Sequence, residues 1–504
     1  MLIRRVSVVV CSVVALVCTA PDSVGIARRT PSPLTGKSHT SARPPGTVAW
    51  RACPRPLVGV ELECGRLDVA LDRSAPNSRR ISIALARLKA RSDGPRRGVL
   101  VVNPGGPDGS GIEAVRNFAT DRSYGRATSS FADHFDVVGF DRRGTGASSP
   151  VRCGVTRDDL GLNAFVDVTT TEGFGEMIVR WKESCRRISG DLLDHVGTIE
   201  TAEDIDDIRV GLGETTVSYL GYSYGTLLGA VYATLFPARV DAMVLDAAVD
   251  PEAFGGRNIA DEGRRLEGRL DRFLSECGSS PTCVFNNGTP PAERFSALVA
   301  RLDASPIAPD LAHHLLSVGG RDIVRWTAPL LDDAASWPKL ANFLRDIDAG
   351  NRYPYFFWIE GGAYGAVSDY LPPGPYMAIM CRDGFFPQES GQAAAIKAQL
   401  VAAAPRLWRA VVDRIDFCDG WPAAVRTLPP VLAVTTLPVL VIGSTDDPTT
   451  PYVWAQGLTR ELGNASLLTR RGEGHTSAEI DICVNVAVRT YLEKRIIPTT
   501  GTQC

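Results

Sequence analysis

Short runs of β-branched and apolar residues recur along the chain at Val99–Val102, Phe135–Phe140, Thr215–Leu220, Ala242–Leu245 and Pro438–Ile442, and several end on Gly, Asp or Asn. The runs are continuously apolar, and amphipathic stretches separate some of them. A strand that is apolar on both faces must be covered on both faces. The rhythm therefore predicts an α/β fold with a mostly parallel central sheet and helices on either side. In such sheets chemistry gathers at the carboxyl ends of the strands, so the residues following each run carry the functional expectation. Between about Pro251 and Pro430 the rhythm gives way to alanine- and leucine-rich helical patterns, including Arg265–Ser275, Phe295–Leu302 and Ala393–Val412. This predicts a large helical insertion, or lid, in the α/β core.

The first residues follow a different rule. Met1–Arg5 carries two arginines, Val6–Cys18 is apolar, and Ala20 and Ala27 offer small residues for cleavage. That is the pattern of an export signal over 1–27, with an apolar run too short to span a bilayer. Val17 stands where a lipoprotein signal wants Gly, Ala or Ser, which disfavours lipid attachment at Cys18. Residues 28–48 are rich in Pro, Ser, Thr and Gly and read as a linker. The expected organisation is then a first core segment over 49–250, the helical lid over 251–430 and a C-terminal core segment over 431–504.

Composition narrows the function. Lys plus Arg number 54 against 57 Asp plus Glu, a net charge of −3, which argues against a nucleic-acid partner or charge-driven binding to anionic membranes. Hydrophobic residues make up 44% of the 504, enough for a substantial core. Setting aside Cys11 and Cys18 leaves an even set of cysteines, as expected of an exported, disulfide-bonded chain. The simplest pairing joins neighbours in sequence: Cys53–Cys64, Cys153–Cys185, Cys277–Cys283, Cys381–Cys418 and Cys483–Cys504. No Cys-x-x-Cys spacing occurs, so no metal is implied.

The catalytic signal lies at Gly221-Tyr222-Ser223-Tyr224-Gly225. Alone, G-x-S-x-G is weak. Here an expected strand enters it and an apolar helical stretch, Thr226–Phe236, leaves it, the context of a nucleophile elbow. A serine hydroxyl needs a base, which in this arrangement follows the acid in the chain. His39 falls in the linker, His134 and His195 precede the serine, and His313 and His314 sit in the insertion. His475, in Gly472-Glu473-Gly474-His475, remains. The acid should follow the Pro438–Ile442 strand, where Asp446 and Asp447 both qualify. For the oxyanion hole, the Tyr224 amide and one from the Asn103-Pro104-Gly105-Gly106-Pro107 loop are expected, with Gly106 as the loop donor.

At these residues the chain resembles the exported tripeptidyl aminopeptidases of the proline-iminopeptidase branch of the α/β-hydrolases, familiar from actinobacteria. The matching segments are Asn103–Pro107, Asp141–Ser148, Gly221–Thr226, Asp447–Pro451 and Gly472–His475. The resemblance implies Asp447 as the triad acid, with Thr450 near the triad on the substrate side. It also implies removal of short peptides, often tripeptides, from free N-termini beneath a helical lid, without a cofactor. Asp108 departs from the family, which usually carries Gly there. An aminopeptidase must hold an ammonium group, for which Glu360 and Asp383 are the candidates. The acidic run Glu203-Asp204-Ile205-Asp206-Asp207 reads as dipole-compensating charge on a helix. Asn287 and Asn464 begin sequons of no assigned role. A carboxylesterase or amidase on the same triad is the alternative, because a triad fixes acyl transfer and not the leaving group. A catalytically silent surface-binding protein is the remote one.

Overall fold

A computed structural model describes residues 46–504 except 56, 58, 76, 92–93, 121–128, 162–170, 255–258, 309–317, 332–333, 352–372, 388–389, 433–434 and 437. The expected signal, most of the linker, His313, His314 and Glu360 lie outside the described residues.

The strands are β1 (Arg51–Ala52), β2 (Leu62–Ala70), β3 (Arg80–Leu88), β4 (Val99–Asn103), β5 (Asp136–Phe140), β6 (Val217–Tyr222), β7 (Val240–Asp246), β8 (Val439–Asp446) and β9 (Ala465–Glu473). They form one nine-stranded sheet in the order β1-β2-β3-β5-β4-β6-β7-β8-β9. From β5 through β9 every pairing is parallel, whereas β1, β2 and β3 pair antiparallel and β3 runs antiparallel to β5. All five apolar runs become strands, β4 to β8. Their continuous apolarity follows from two cores. Val99 and Val101 enter the layer holding α3 (Thr198–Gly211) and α4 (Tyr224–Leu235), while Leu100 and Val102 enter the opposite layer with α1 (Gly111–Thr120) and α12 (Ile482–Lys494). Here α2 is Thr171–Ser189.

The insertion between β7 and β8 has two parts. Helices α5 (Ile259–Ser279), α6 (Pro291–Ala304), α7 (Gly320–Leu331) and α8 (Trp337–Asp348) close around a core of their own, including Phe273, Phe295, Ile323 and Leu344. Helices α9 (Gly374–Arg382) and α10 (Ser390–Ala403) instead send Met377, Ile379 and Leu400 into the layer over the sheet. The expected helix over Ala393–Val412 stops at Ala403, because Pro405 lacks the N–H that the next turn requires. The last helix before α12 is α11 (Tyr452–Leu462). Disulfides join Cys53–Cys64, Cys153–Cys185, Cys277–Cys283, Cys381–Cys418 and Cys483–Cys504. No helix among the described residues is long and apolar enough to cross a membrane.

One polar network is sealed inside. Arg143, fully buried, donates to both oxygens of Asp204 (2.6 and 2.7 Å) and to the carbonyls of Leu71 (2.9 Å), Ala70 (3.1 Å) and His195 (3.1 Å). Arg73 reaches Asp204 at 2.5 Å and Asp207 at 2.6 Å. The acidic run on α3 is therefore turned partly inward: it neutralises two arginines rather than solvating a helix end. Burial penalises the Asp204 carboxylate, yet its two guanidinium partners win and hold its pKa below the usual range. Removing one member of such a pair strands the other charge. Asp204→Ala should cost about 3–5 kcal/mol in urea-unfolding free energy. A loss below 1 kcal/mol would show that the network is dispensable.

Candidate active site

Ser223 sits between β6 and α4 with φ 54° and ψ −127°, a backbone region that few non-glycine residues adopt. Hydrogen bonds hold it there. Its N–H donates to the Asp246 carbonyl at 3.0 Å, and its carbonyl accepts from the Thr226 N–H (2.8 Å) and hydroxyl (2.6 Å). The sharp turn brings Gly221 against Gly225: a Cβ on Gly221 would lie 2.4 Å from the Gly225 carbonyl oxygen. Strand and helix can meet at this angle only without that side chain.

The other two candidates come from the ends of β8 and β9. Asp447 is buried and His475 partly exposed, and His475 Nδ1 lies 2.9 and 3.1 Å from the Asp447 oxygens. With a carboxylate as partner, Nδ1 carries the proton and donates it, which leaves Nε2 with a lone pair able to accept one. Asp447 is itself fixed by the Thr449 N–H (2.8 Å), the Thr450 N–H (2.9 Å) and the Thr450 hydroxyl (2.9 Å). Asp446, the sequence alternative, accepts from the Thr445 hydroxyl instead, at 2.8 Å. Among the described residues no hydrogen bond joins Ser223 to His475. Such bonds are often long in ligand-free enzymes and tighten when substrate arrives.

The loop after β4 lies beside the elbow because Asn103 pairs with Gly221 in the sheet. The Asn103 side chain accepts from the Gly105 N–H at 3.0 Å and so folds the loop back. Gly105, at φ +91°, admits the elbow itself: a Cβ there would lie 2.5 Å from the Tyr222 carbonyl oxygen. Gly106, Ser223 and Tyr224 all line one cavity of about 400 Å³. Asp108 is half-buried beside Gly106.

Residues 405–504 match a family model described as TAP-like protein. Over most of its length the chain is 29% identical to serine protease Hip1 of Mycobacterium tuberculosis H37Rv, covering 91% of each. It is 29% identical to the tripeptidyl aminopeptidase of Streptomyces lividans, covering 88% of this chain and 84% of that one. It is 28% identical to carboxylesterase B of M. tuberculosis CDC 1551, covering 90% and 89%. The chain has the α/β-hydrolase fold, and its C-terminal region is similar to the TAP-like family.

The floor of this hydrolase's cavity comes from the strand ends, and its walls include α5, α7 and α9 of the insertion. Two of the sequence candidates for substrate binding are otherwise engaged. Asp383 lies outside the cavity lining; its carboxylate caps α3, accepting from the Thr198 N–H (2.9 and 3.1 Å) and hydroxyl (2.5 Å), and from the Tyr224 hydroxyl (3.3 Å). The Tyr224 hydroxyl also bonds Thr198, and the Arg142 guanidinium stacks over its ring at 4.8 Å. Asp383 thus braces Thr198 and Tyr224 from outside the cavity lining. Thr450 does line the cavity, but its hydroxyl is spent on Asp447. Among the described residues the acid that lines the cavity is Glu262 on α5, which gave no signal in sequence because only lid packing brings it there. Among the described residues the one grouping of metal donors is Asp481, Cys483 and Cys504, whose sulfurs are joined in a disulfide.

Sequence reading also missed Asp246, at the end of β7. One oxygen of its buried carboxylate accepts from the Ser477 N–H (2.8 Å) and the Ala478 N–H (2.7 Å), while its backbone carbonyl holds Ser223. A single residue thus anchors both the elbow and the loop that carries His475. Asp246→Ala should lower kcat about 100-fold with KM little changed and the circular dichroism of the fold retained. Asp246→Asn, which keeps an acceptor, should recover most of that loss. Equal effects from both would place the role elsewhere.

Burial raises the pKa of several acids around the site: Asp246 to about 6, Asp383 to about 7 and Glu479 to about 8, the last aided by the nearby Asp246 charge. In each case the folded chain keeps a proton that the unfolded chain has released. Stability should therefore fall as pH rises from about 5 to about 8, read as a decreasing urea midpoint. A flat or rising midpoint would contradict it.

Proposed function

We propose that this hydrolase is an exported serine exopeptidase that releases short peptides, three residues at a time, from free N-termini. The observation carrying this reading is the lid-covered cavity, which joins Ser223 and both oxyanion candidates to an acid, Glu262, in the lid wall. A carboxylate in a partly desolvated wall suits a peptide ammonium group and offers nothing to a simple ester. The disulfides and the basic–apolar N-terminus support export.

In the proposed mechanism Ser223 Oγ attacks the scissile carbonyl carbon as His475 Nε2 takes its proton. The Gly106 and Tyr224 amides hold the oxyanion, and Asp447 stabilises the imidazolium. Collapse expels the shortened peptide, whose new amine receives the proton from His475. The acyl-enzyme is then hydrolysed by water activated at the same base.

A comparison of kcat/KM on a free-amine tripeptide anilide, its N-acetylated twin, a single-residue anilide and a short-chain ester tests the proposal, with Ser223→Ala as control. The free tripeptide should be preferred, with activity lost on acetylation and in Ser223→Ala. Glu262→Gln should weaken the preference for the free amine roughly 10-fold or more. Ester turnover that equals or exceeds the peptide's and ignores acetylation would instead support the carboxylesterase reading, which the likeness to carboxylesterase B favours.

A further inference from the structure

Helix α5 lays Glu262, Arg265, Leu266 and Arg269 along the cavity that holds Ser223. Their spacing of three, four and seven residues is that of one helical face. Among the described residues the charged side chains lining the cavity are thus one acid and two arginines, more cation than an ammonium site alone needs.

The two arginines differ. Arg269 donates to the Leu331 carbonyl at 2.9 Å, which ties it to α7. Arg265 is half-buried and, among the described residues, makes no hydrogen bond or ion pair; its Nε is buried without a partner. Several other arginines in comparable settings are paired: Arg143 and Arg73 with Asp204, Arg406 with Glu267, Arg294 with Asp348. Arg142, also without an ion pair, is buried over the Tyr224 ring instead, outside the cavity lining. Desolvating a guanidinium without a partner is costly, and its planar fork is shaped for a carboxylate. The carboxylates whose fields reach Arg265 are Glu262, Asp261 and Asp447; their pull does not offset burial, which leaves its pKa below the usual arginine value.

We propose that Arg265 binds a carboxylate of the substrate, so that the cavity selects anionic peptides. Glu262 and Arg265, one helical turn apart, would then read a positive and a negative group on the same substrate. The inference rests on the peptidase reading above. Two sources of the carboxylate fit: an acidic side chain in the released segment, or the C-terminal carboxylate of a short peptide.

The test measures kcat/KM for tripeptide anilides with glutamate or glutamine at the first, second or third position. A neutral tetrapeptide as free acid and as C-terminal amide forms the second arm. On one arm the anionic member should be preferred roughly 10- to 100-fold, the range of a charge-assisted hydrogen bond. The arm that shows it identifies the source. In Arg265→Gln this ratio should fall close to one, and in Arg265→Glu it should reverse towards a lysine-bearing peptide. Because each ratio is taken within one protein, a partly misfolded variant does not distort it. No anionic preference on either arm, or a preference that survives Arg265→Gln, overturns the proposal. Should the neutral tripeptide anilide go uncleaved while an ester is turned over, the peptidase reading has failed. Paired esters with and without a carboxylate then test Arg265 independently.

Discussion

Ser223 must stand at the point where a strand becomes a helix without a loop between them. That turn forces a positive φ on a residue with a side chain, and the strain must be met by neighbouring contacts. Three of them meet it: the Thr226 N–H and hydroxyl on the Ser223 carbonyl, and the Asp246 carbonyl on its N–H. The Thr226 hydroxyl accepts in turn from the Val249 N–H at 2.8 Å, which fixes the chain leaving β7. The elbow is held as much by β7 as by its own strand and helix.

Parallel pairing turns that local constraint into a site. The loop after β4, the elbow after β6 and the acid and histidine loops after β8 and β9 all leave the sheet at its carboxyl edge. Asp246 sits among them and links the elbow to the histidine loop through its backbone and its side chain. The Asp141–Ser148 segment braces the neighbouring region. Asp141 accepts from the Ser110 hydroxyl at 2.6 Å and from the Ala147 N–H at 2.8 Å, while Arg143 is locked to Asp204. Buried ions of this kind fix one arrangement of loops, at a desolvation cost that only complete hydrogen bonding offsets.

The lid adds the chemistry that the sheet lacks. Its first helices pack around their own core, so α5 can present a polar face to the cavity without weakening the α/β layers. Its later helices are built into the layer over the sheet, and the Cys381–Cys418 disulfide ties α9 to the short helix Asp413–Cys418. A reader of local pattern sees one alanine- and leucine-rich block, because helical periodicity marks a buried face but not what buries it.

Strand positions, the sharp turn at Ser223 and the candidacy of Asp447 and His475 were legible in sequence because each depends on local rules: apolar runs, glycine at tight turns, chain order. Continuous apolarity in Val99–Val102 indicated two covered faces whatever covered them. Asp246, Glu262 and Arg265 carry no such local mark. Aspartate closes many strands, and charged residues on an amphipathic helix ordinarily face water. The partners of Asp383 and of the acidic run on α3 were hidden for the same reason: sequence supplies a side chain's charge but not what it pairs with. That partner is chosen by contacts between residues far apart in the chain, such as Asp383 with Thr198, and only the folded packing of lid against sheet decides them.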